Sequence, residues 1–217
     1  MNIFLKIAIV CVVSYLLGSF NFSIICSRLF QKDDVREHGS GNAGITNYLR
    51  NYGGFSTFIV MIGDLGKCIA AVLIVQALFK NETVNGYEIA DTAKFLAGLF
   101  VILGHLYPLW FGFKGGKGVL SVAALILAFD WRVFLIAISL FIIIVLVTKY
   151  VSLGSICAVW FAWALLWVFN RSDPLCWTYL LIFGIIAAIV TIKHASNIKR
   201  LVNHTESKFS VGSKKKS

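Results

Sequence analysis

Three glycine-rich strings hold most of the polar residues suited to chemistry in this 217-residue chain: His38-Gly39-Ser40-Gly41-Asn42-Ala43-Gly44-Ile45-Thr46-Asn47, Gly63-Asp64-Leu65-Gly66-Lys67 and Phe113-Lys114-Gly115-Gly116-Lys117-Gly118. Glycine lets backbone N–H groups close on an anion, lysine supplies a point charge, and hydroxyls and amides fix orientation. Such strings suit the handling of a phosphorylated substrate at a bilayer surface.

In the first string Ser40, Asn42, Thr46 and Asn47 offer neutral polar contacts, and Arg50, just after it, can grip a phosphate with two parallel hydrogen bonds. The plainer alternative is a solvated loop whose Ser and Asn cap helices. In the second, Asp64 and Lys67 stand at i, i+3 on one helix face. Charges at membrane depth face a bundle interior, so this pair is either structural or in contact with substrate, with Asp64 orienting Lys67 or a neighbouring basic residue. In the third, Lys114-Gly115-Gly116-Lys117 directly precedes an apolar helix starting at Val119. Free backbone N–H groups, the helix dipole and Lys117 can converge there on one anion; the G-x-x-x-x-G-K-[ST] spacing of a P-loop is absent.

His105 reads either as a donor to that site or as a packing histidine. His194, Asn197 and Arg200 recur at i, i+3, i+6 and drift slowly around one side of a helix. They can bind a second anion, handle a proton, or simply end a spanning helix. Ser152 and Ser155 can add hydroxyls. His38, His105, His194 and His204 lack metal-ligand spacing, and none is followed five residues later by aspartate. Neither a metal, a cofactor nor an H-x-x-x-x-D acyltransferase signature is expected.

The elements that must position these groups are membrane helices. With 59% hydrophobic and 14% charged residues and a mean hydropathy of +0.83, the chain has the make-up of an all-α, polytopic integral membrane protein. Its 20 Lys+Arg against 10 Asp+Glu suit anionic headgroups or an anionic substrate. Nucleic acid fits poorly, because the basic residues sit between spanning segments. Cys11, Cys26, Cys68, Cys157 and Cys176 form no C-x-x-C pair and read as buried fillers. The first apolar stretch continues to Phe30, which favours an uncleaved helix over a signal peptide.

Apolar windows near the ~20 residues of a span cover approximately 4–30, 55–79, 93–113, 151–169 and 175–192. Residues 119–148 exceed one crossing but are divided at Asp130-Trp131-Arg132. The first piece makes only about 16 Å of helix against a ~30 Å hydrocarbon core. Read as a hairpin, this stretch brings the loops with Arg50, Lys117 and Lys149 and the tail after Lys193 to one side, which the positive-inside rule makes cytoplasmic. About seven helices follow, one short, with the N-terminus outside and the C-terminus cytoplasmic. Residues 1–206 form one membrane-embedded domain; 207–217 form a basic, disordered cytoplasmic tail drawn to anionic lipid.

Taken in order, Tyr15-Leu16-Leu17-Gly18-Ser19, the first string with Arg50, Gly63-Asp64 with Lys67, Gly104-His105 with Pro108, Phe113 through Val119, Ser152-Leu153 with Ser155, and His194 with Asn197-Ile198 and Arg200-Leu201 closely resemble the acyl-phosphate:glycerol-3-phosphate acyltransferase (PlsY) family. Asn21, near where that pattern has a proline, Leu120-Ser121 and Asn203-His204 depart from it. The resemblance implies a seven-helix inner-membrane enzyme with a cytoplasmic site. Its implied reaction moves a fatty acyl group from acyl phosphate to the sn-1 hydroxyl of glycerol 3-phosphate, giving lysophosphatidic acid and inorganic phosphate in the first acylation of phospholipid synthesis. Functional coupling to an enzyme that produces acyl phosphate is implied as well.

The expected catalytic residues are His194, Asn197 and Ser40. The expected substrate-binding residues are Asn42, Thr46, Asn47, Arg50, Asp64, Lys67, His105, Gly115, Gly116, Lys117, Ser155 and Arg200. Attack is expected to be direct, with no acyl-enzyme. Lys117 and the Gly115-Gly116 amides hold one phosphate, while Ser40, Asn42, Arg50, His194 and Asn197 place the other substrate. With no obvious carboxylate base, the proton passes to acyl phosphate itself, or second to His194. The main alternative is a transporter of small phosphorylated anions, which would set its binding groups near the bilayer midplane.

Overall fold

The computed structural model describes residues 1–209. Among them the chain forms ten α-helices: α1 (Ile3–Ser19), α2 (Phe22–Phe30), α3 (Ile45–Asn51), α4 (Gly54–Phe79), α5 (Ala90–Leu106), α6 (Val119–Phe129), α7 (Trp131–Thr148), α8 (Val151–Asn170), α9 (Cys176–Lys193) and α10 (Ala195–Val202). Six stretches are long and apolar enough to cross a bilayer: Ile3–Phe30, Gly54–Phe79, Ala90–Phe111, Trp131–Thr148, Val151–Asn170 and Cys176–Lys193; Val119–Phe129 is apolar but short. This is the expected all-α architecture of about seven segments.

The divide at Asp130 ends one helix and starts the next. Its backbone N–H closes α6 on Ile126 O at 2.8 Å, and its carboxylate caps α7 by accepting from the Arg132 N–H at 2.9 Å. The first span is broken too, at Phe20-Asn21. Asn21 Oδ1 caps α2 by accepting from the Ile24 N–H at 3.1 Å, while Nδ2 donates to Ala43 O at 3.1 Å. Asn21 thus ties the first glycine string to the break.

At Gly18 and Gly104, α1 and α5 pack backbone against backbone. A Cβ on Gly18 would lie 2.1 Å from Val101 O, and one on Gly104 would lie 2.2 Å from Tyr15 O. Membrane helices associate through such small residues because lipid provides no hydrophobic drive between them. Val12, Ile62, Leu73, Ile143 and Leu181 face outward and exposed, as lipid-facing positions do.

α4 and α5 are joined by a small hairpin, β1 (Thr83–Val84) and β2 (Tyr87–Glu88). Its Asn85-Gly86 turn has positive φ at both residues, 52° and 84°, as a two-residue hairpin loop requires. Residues 207–209, which sequence places in the tail, fold back on the bundle: the Phe209 N–H donates to Lys149 O at 2.7 Å. The rest of that tail, 210–217, lies outside the described residues.

Candidate active site

The first and third strings, the start of α8 and the α9–α10 junction meet around one cavity of about 1260 Å³. Ser40, Asn42, Thr46, Asn47, Arg50, Asp64, His105, Lys117, Ser155, His194, Asn197 and Arg200 all line it, so residues 40, 117 and 194 lie together. Three apolar faces continue the wall: Val119, Val122 and Ile126 of α6, Phe134, Ala137, Ile138 and Phe141 of α7, and Val151, Ala158 and Val159 of α8. Within each helix these residues recur at helical spacing, so apolar helix faces complete a cavity whose other lining is polar.

Some expected contacts are scaffold instead. Asn47 Oδ1 accepts from the Ser40 N–H at 3.0 Å and from Asn51 Nδ2 at 3.2 Å, and its Nδ2 donates to Val35 O at 2.9 Å and His38 O at 3.0 Å. Every hydrogen-bonding position of that amide is occupied, so Asn47 shapes the first string and has none left for a ligand. Arg36 fastens that string to the third, with Nη1 donating to Phe111 O at 2.8 Å and Lys114 O at 3.1 Å.

The third string corrects an expectation. The N–H groups of Gly115 and Gly116 are not anion donors; they donate to Leu106 O at 3.2 Å and His105 O at 3.1 Å. A Cβ at 115 would stand 2.0 Å from His105 O, and one at 116 would stand 2.1 Å from His105 Nε2. These glycines allow the string to pack on α5, and the cation facing the cavity is Lys117. Lys67 is corrected likewise. Its side chain is 3% exposed and stands behind the cavity lining, paired at 2.7 Å with Asp64, which does reach the wall.

On the polar lining, the Lys117 ammonium donates to Asn197 Oδ1. Asn197 Nδ2 and Ser152 Oγ each donate to Glu206 Oε1 at 2.7 Å, and Arg200 Nε donates to Oε2 at 2.7 Å. Glu206 is a cavity residue that no sequence expectation includes; its one signal is its position just past the helix that carries Asn197 and Arg200. Burial pushes its carboxyl up, but hydrogen bonds from Asn197, Ser152 and Arg200 outweigh burial and hold it below the usual range. Burial drives the Lys117 ammonium down to about 8, Glu206 opposes that, and Arg200 and Arg50 add repulsion.

His194 Nδ1 lies 2.8 Å from Val190 O. A carbonyl only accepts, so Nδ1 carries the proton and Nε2 is left as a bare acceptor. Burial pushes this imidazole down to about 4, which keeps it neutral at neutral pH. Arg50, at the rim, donates from Nη2 to Ser207 O at 3.3 Å.

The model of a family described as glycerol-3-phosphate acyltransferase matches residues 8–204. The chain is 36% identical to the glycerol-3-phosphate acyltransferase of Mycoplasmopsis agalactiae, over 97% of this chain and 96% of that protein. It is also 36% identical to that of Coxiella burnetii, over 91% and 95%. A crystal structure of PlsY (YgiH), an integral membrane glycerol 3-phosphate acyltransferase in its glycerol 3-phosphate form, matches with a TM-score of 0.82 at 32% identity, covering 94% of this chain and 96% of that one. Its lysophosphatidic acid form gives 0.79 at 31%, covering 94% and 95%. With the match extending over most of its length, the chain belongs to the glycerol-3-phosphate acyltransferase family.

Proposed function

We propose that the protein acylates the sn-1 hydroxyl of glycerol 3-phosphate, takes the acyl group from acyl phosphate, and releases lysophosphatidic acid and inorganic phosphate. One observation carries this reading: a single cavity joins cations, among them Lys117, Arg50 and Arg200, to three apolar helix faces. Two phosphate-bearing substrates repel each other, and fixed cations offset that repulsion. The apolar faces of α6, α7 and α8 suit an acyl chain.

Attack is direct. Acyl phosphate is already an activated mixed anhydride, so positioning and stabilisation of the departing phosphate provide the acceleration. Ser40, Asn42, Thr46 and Arg50 place glycerol 3-phosphate, while Lys117 and Arg200 hold the leaving phosphate. Asn197 fixes the Lys117 ammonium through the hydrogen bond they share. His194 offers its bare nitrogen to the attacking hydroxyl and orients it. With a pKa pushed down to about 4 by burial, that imidazole is too weak a base to keep the proton, which passes to the leaving phosphate. The basic-loop count supports a cytoplasmic site with the N-terminus outside, and a donor supplied from the cytoplasmic side by an acyl-phosphate-producing enzyme.

The test supplies purified protein in liposomes with palmitoyl phosphate, with and without glycerol 3-phosphate. Equimolar phosphate and lysophosphatidic acid are expected only when both substrates are present. Phosphate release without the acceptor, activity only with a thioester donor, or an acyl-protein on the reaction path overturns the reading. Uptake of glycerol 3-phosphate into sealed liposomes without acylation favours the transporter.

A further inference from the structure

The buried charges under the cavity do more than neutralise each other. Lys67 Nζ reaches Asp64 Oδ1 at 2.7 Å, Phe20 O at 3.0 Å, Gly18 O at 3.2 Å and His105 Nδ1 at 2.9 Å. The two carbonyls lie at the broken end of α1, where a helix leaves its last acceptors unsatisfied. An ammonium has three protons and no lone pair, so the longest of these four contacts, to Gly18 O, shares a proton with Phe20 O. Nδ1 of His105, 3.6 Å from Asp64 Oδ1 and beyond hydrogen-bond reach of it, is an acceptor toward Lys67. A neutral imidazole that accepts at Nδ1 carries its proton at Nε2. Asp64 and Lys67 cancel, and a neutral ring keeps the trio without net charge at membrane depth.

The Nε2 side faces differently. Among the described residues it has no hydrogen-bond partner, and the ring lines the cavity. Gly116 packs its bare Cα beside the ring, and any larger residue there would displace it, because a Cβ would stand 2.1 Å from Nε2.

We propose that Asp64 and Lys67 are positioning residues that lock His105 as an Nε2–H donor aimed into the cavity, where it bonds a phosphate oxygen of the substrate. The substrate part rests on the proposed acyl transfer; the tautomer does not. Lys67 itself touches no substrate. Its effect on catalysis runs through the ring it holds.

The test is the ¹⁵N spectrum of the full-length, histidine-labelled protein in nanodiscs, with ring signals assigned by His105→Gln and His194→Gln. For His105 a protonated Nε2 and a bare Nδ1 are expected, for His194 the reverse. Palmitoyl phosphate, glycerol 3-phosphate and inorganic phosphate are then added separately, and at least one should move the His105 Nε2–H signal. The double variant Asp64→Asn/Lys67→Met removes both charges together; it should mix the His105 tautomers and raise KM about tenfold, the scale of one hydrogen bond to a charged group. His105→Gln, which keeps an N–H near Nε2, should stay within a few-fold of wild-type KM, whereas His105→Leu should not. An Nδ1–H tautomer or an imidazolium at His105 in the wild type overturns the lock. A locked Nε2–H that ignores all three phosphates overturns the substrate contact. Because the spectrum needs no turnover, a wild-type protein that transfers no acyl group sinks the proposed activity and leaves the tautomer standing.

Discussion

Two histidines look into the same cavity and present opposite chemistry. His105 is 4% exposed and His194 3%, and each sits at the C-terminal end of an apolar helix, so burial and local sequence do not tell them apart. What separates them stands behind Nδ1. Lys67, a cation 38 residues away, makes His105 a donor in front; the Val190 carbonyl, four residues away, makes His194 an acceptor in front. A nucleophilic hydroxyl needs an acceptor and a phosphate needs a donor, so one cavity uses the same residue type for both.

Breaking the acceptor side gives the largest expected effect. His194→Leu should lower kcat by about a hundredfold with a smaller change in KM for glycerol 3-phosphate, the scale of misplacing an attacking group. His105→Leu should act mainly on KM. Phosphate release measured across substrate concentrations separates the two, and identical kinetic signatures would erase the distinction between the corners.

Gly116→Ala strikes only the donor corner. The added methyl would meet His105 Nε2 at 2.1 Å and Ala43 O at 2.7 Å. Overpacking of that kind costs about 1–3 kcal/mol. Thermal unfolding in detergent should show the loss, and the His105 ring signals should shift while those of His194 hold still. An unshifted His105 would show that the string has room the geometry denies it.

This corner also marks where sequence reasoning stops. The spans are legible because each is decided by about twenty consecutive residues of composition, and the short α6 is legible because Asp130 interrupts an apolar run and the positive-inside count demands a hairpin. The cavity residues are legible because polar side chains in an apolar chain have few other places to go. The roles within the strings are not. Glycine is selected both where backbone meets an anion and where backbone meets backbone, and only the 2.0 Å approach at Gly115 tells which. Glu206 is hidden for a similar reason: its partner Ser152 lies 54 residues away on another helix.

A smaller effect tests the cations that serve both corners. Burial holds the Lys117 ammonium at about 8. As pH rises through about 8 the charge is lost, so KM for the phosphorylated substrate should rise severalfold. A bound phosphate stabilises the ammonium, so kcat at saturation should change less over the same window. Lys117→Arg, charged throughout, should remove the break in KM. On the acid side, protonation of His194 below about 4 removes the acceptor, and kcat should fall there.

The smallest effect lies inside one motif. Gly63 and Gly66 share a string on α4, yet a Cβ at Gly63 would lie 2.2 Å from the Phe22 ring, whereas at Gly66 nothing lies within 4 Å. Phe22 opens α2 beside the break whose carbonyls hold Lys67, so Gly63→Ala should disturb the donor corner through that break. Gly66→Ala should leave turnover unchanged and raise stability by about 0.5–1 kcal/mol, because alanine loses less backbone freedom than glycine in a helix. Thermal unfolding of both variants beside the wild type measures the difference. Equal damage from the two would mean that the string acts as a unit toward substrate, against a structure in which one glycine is packed and the other is free.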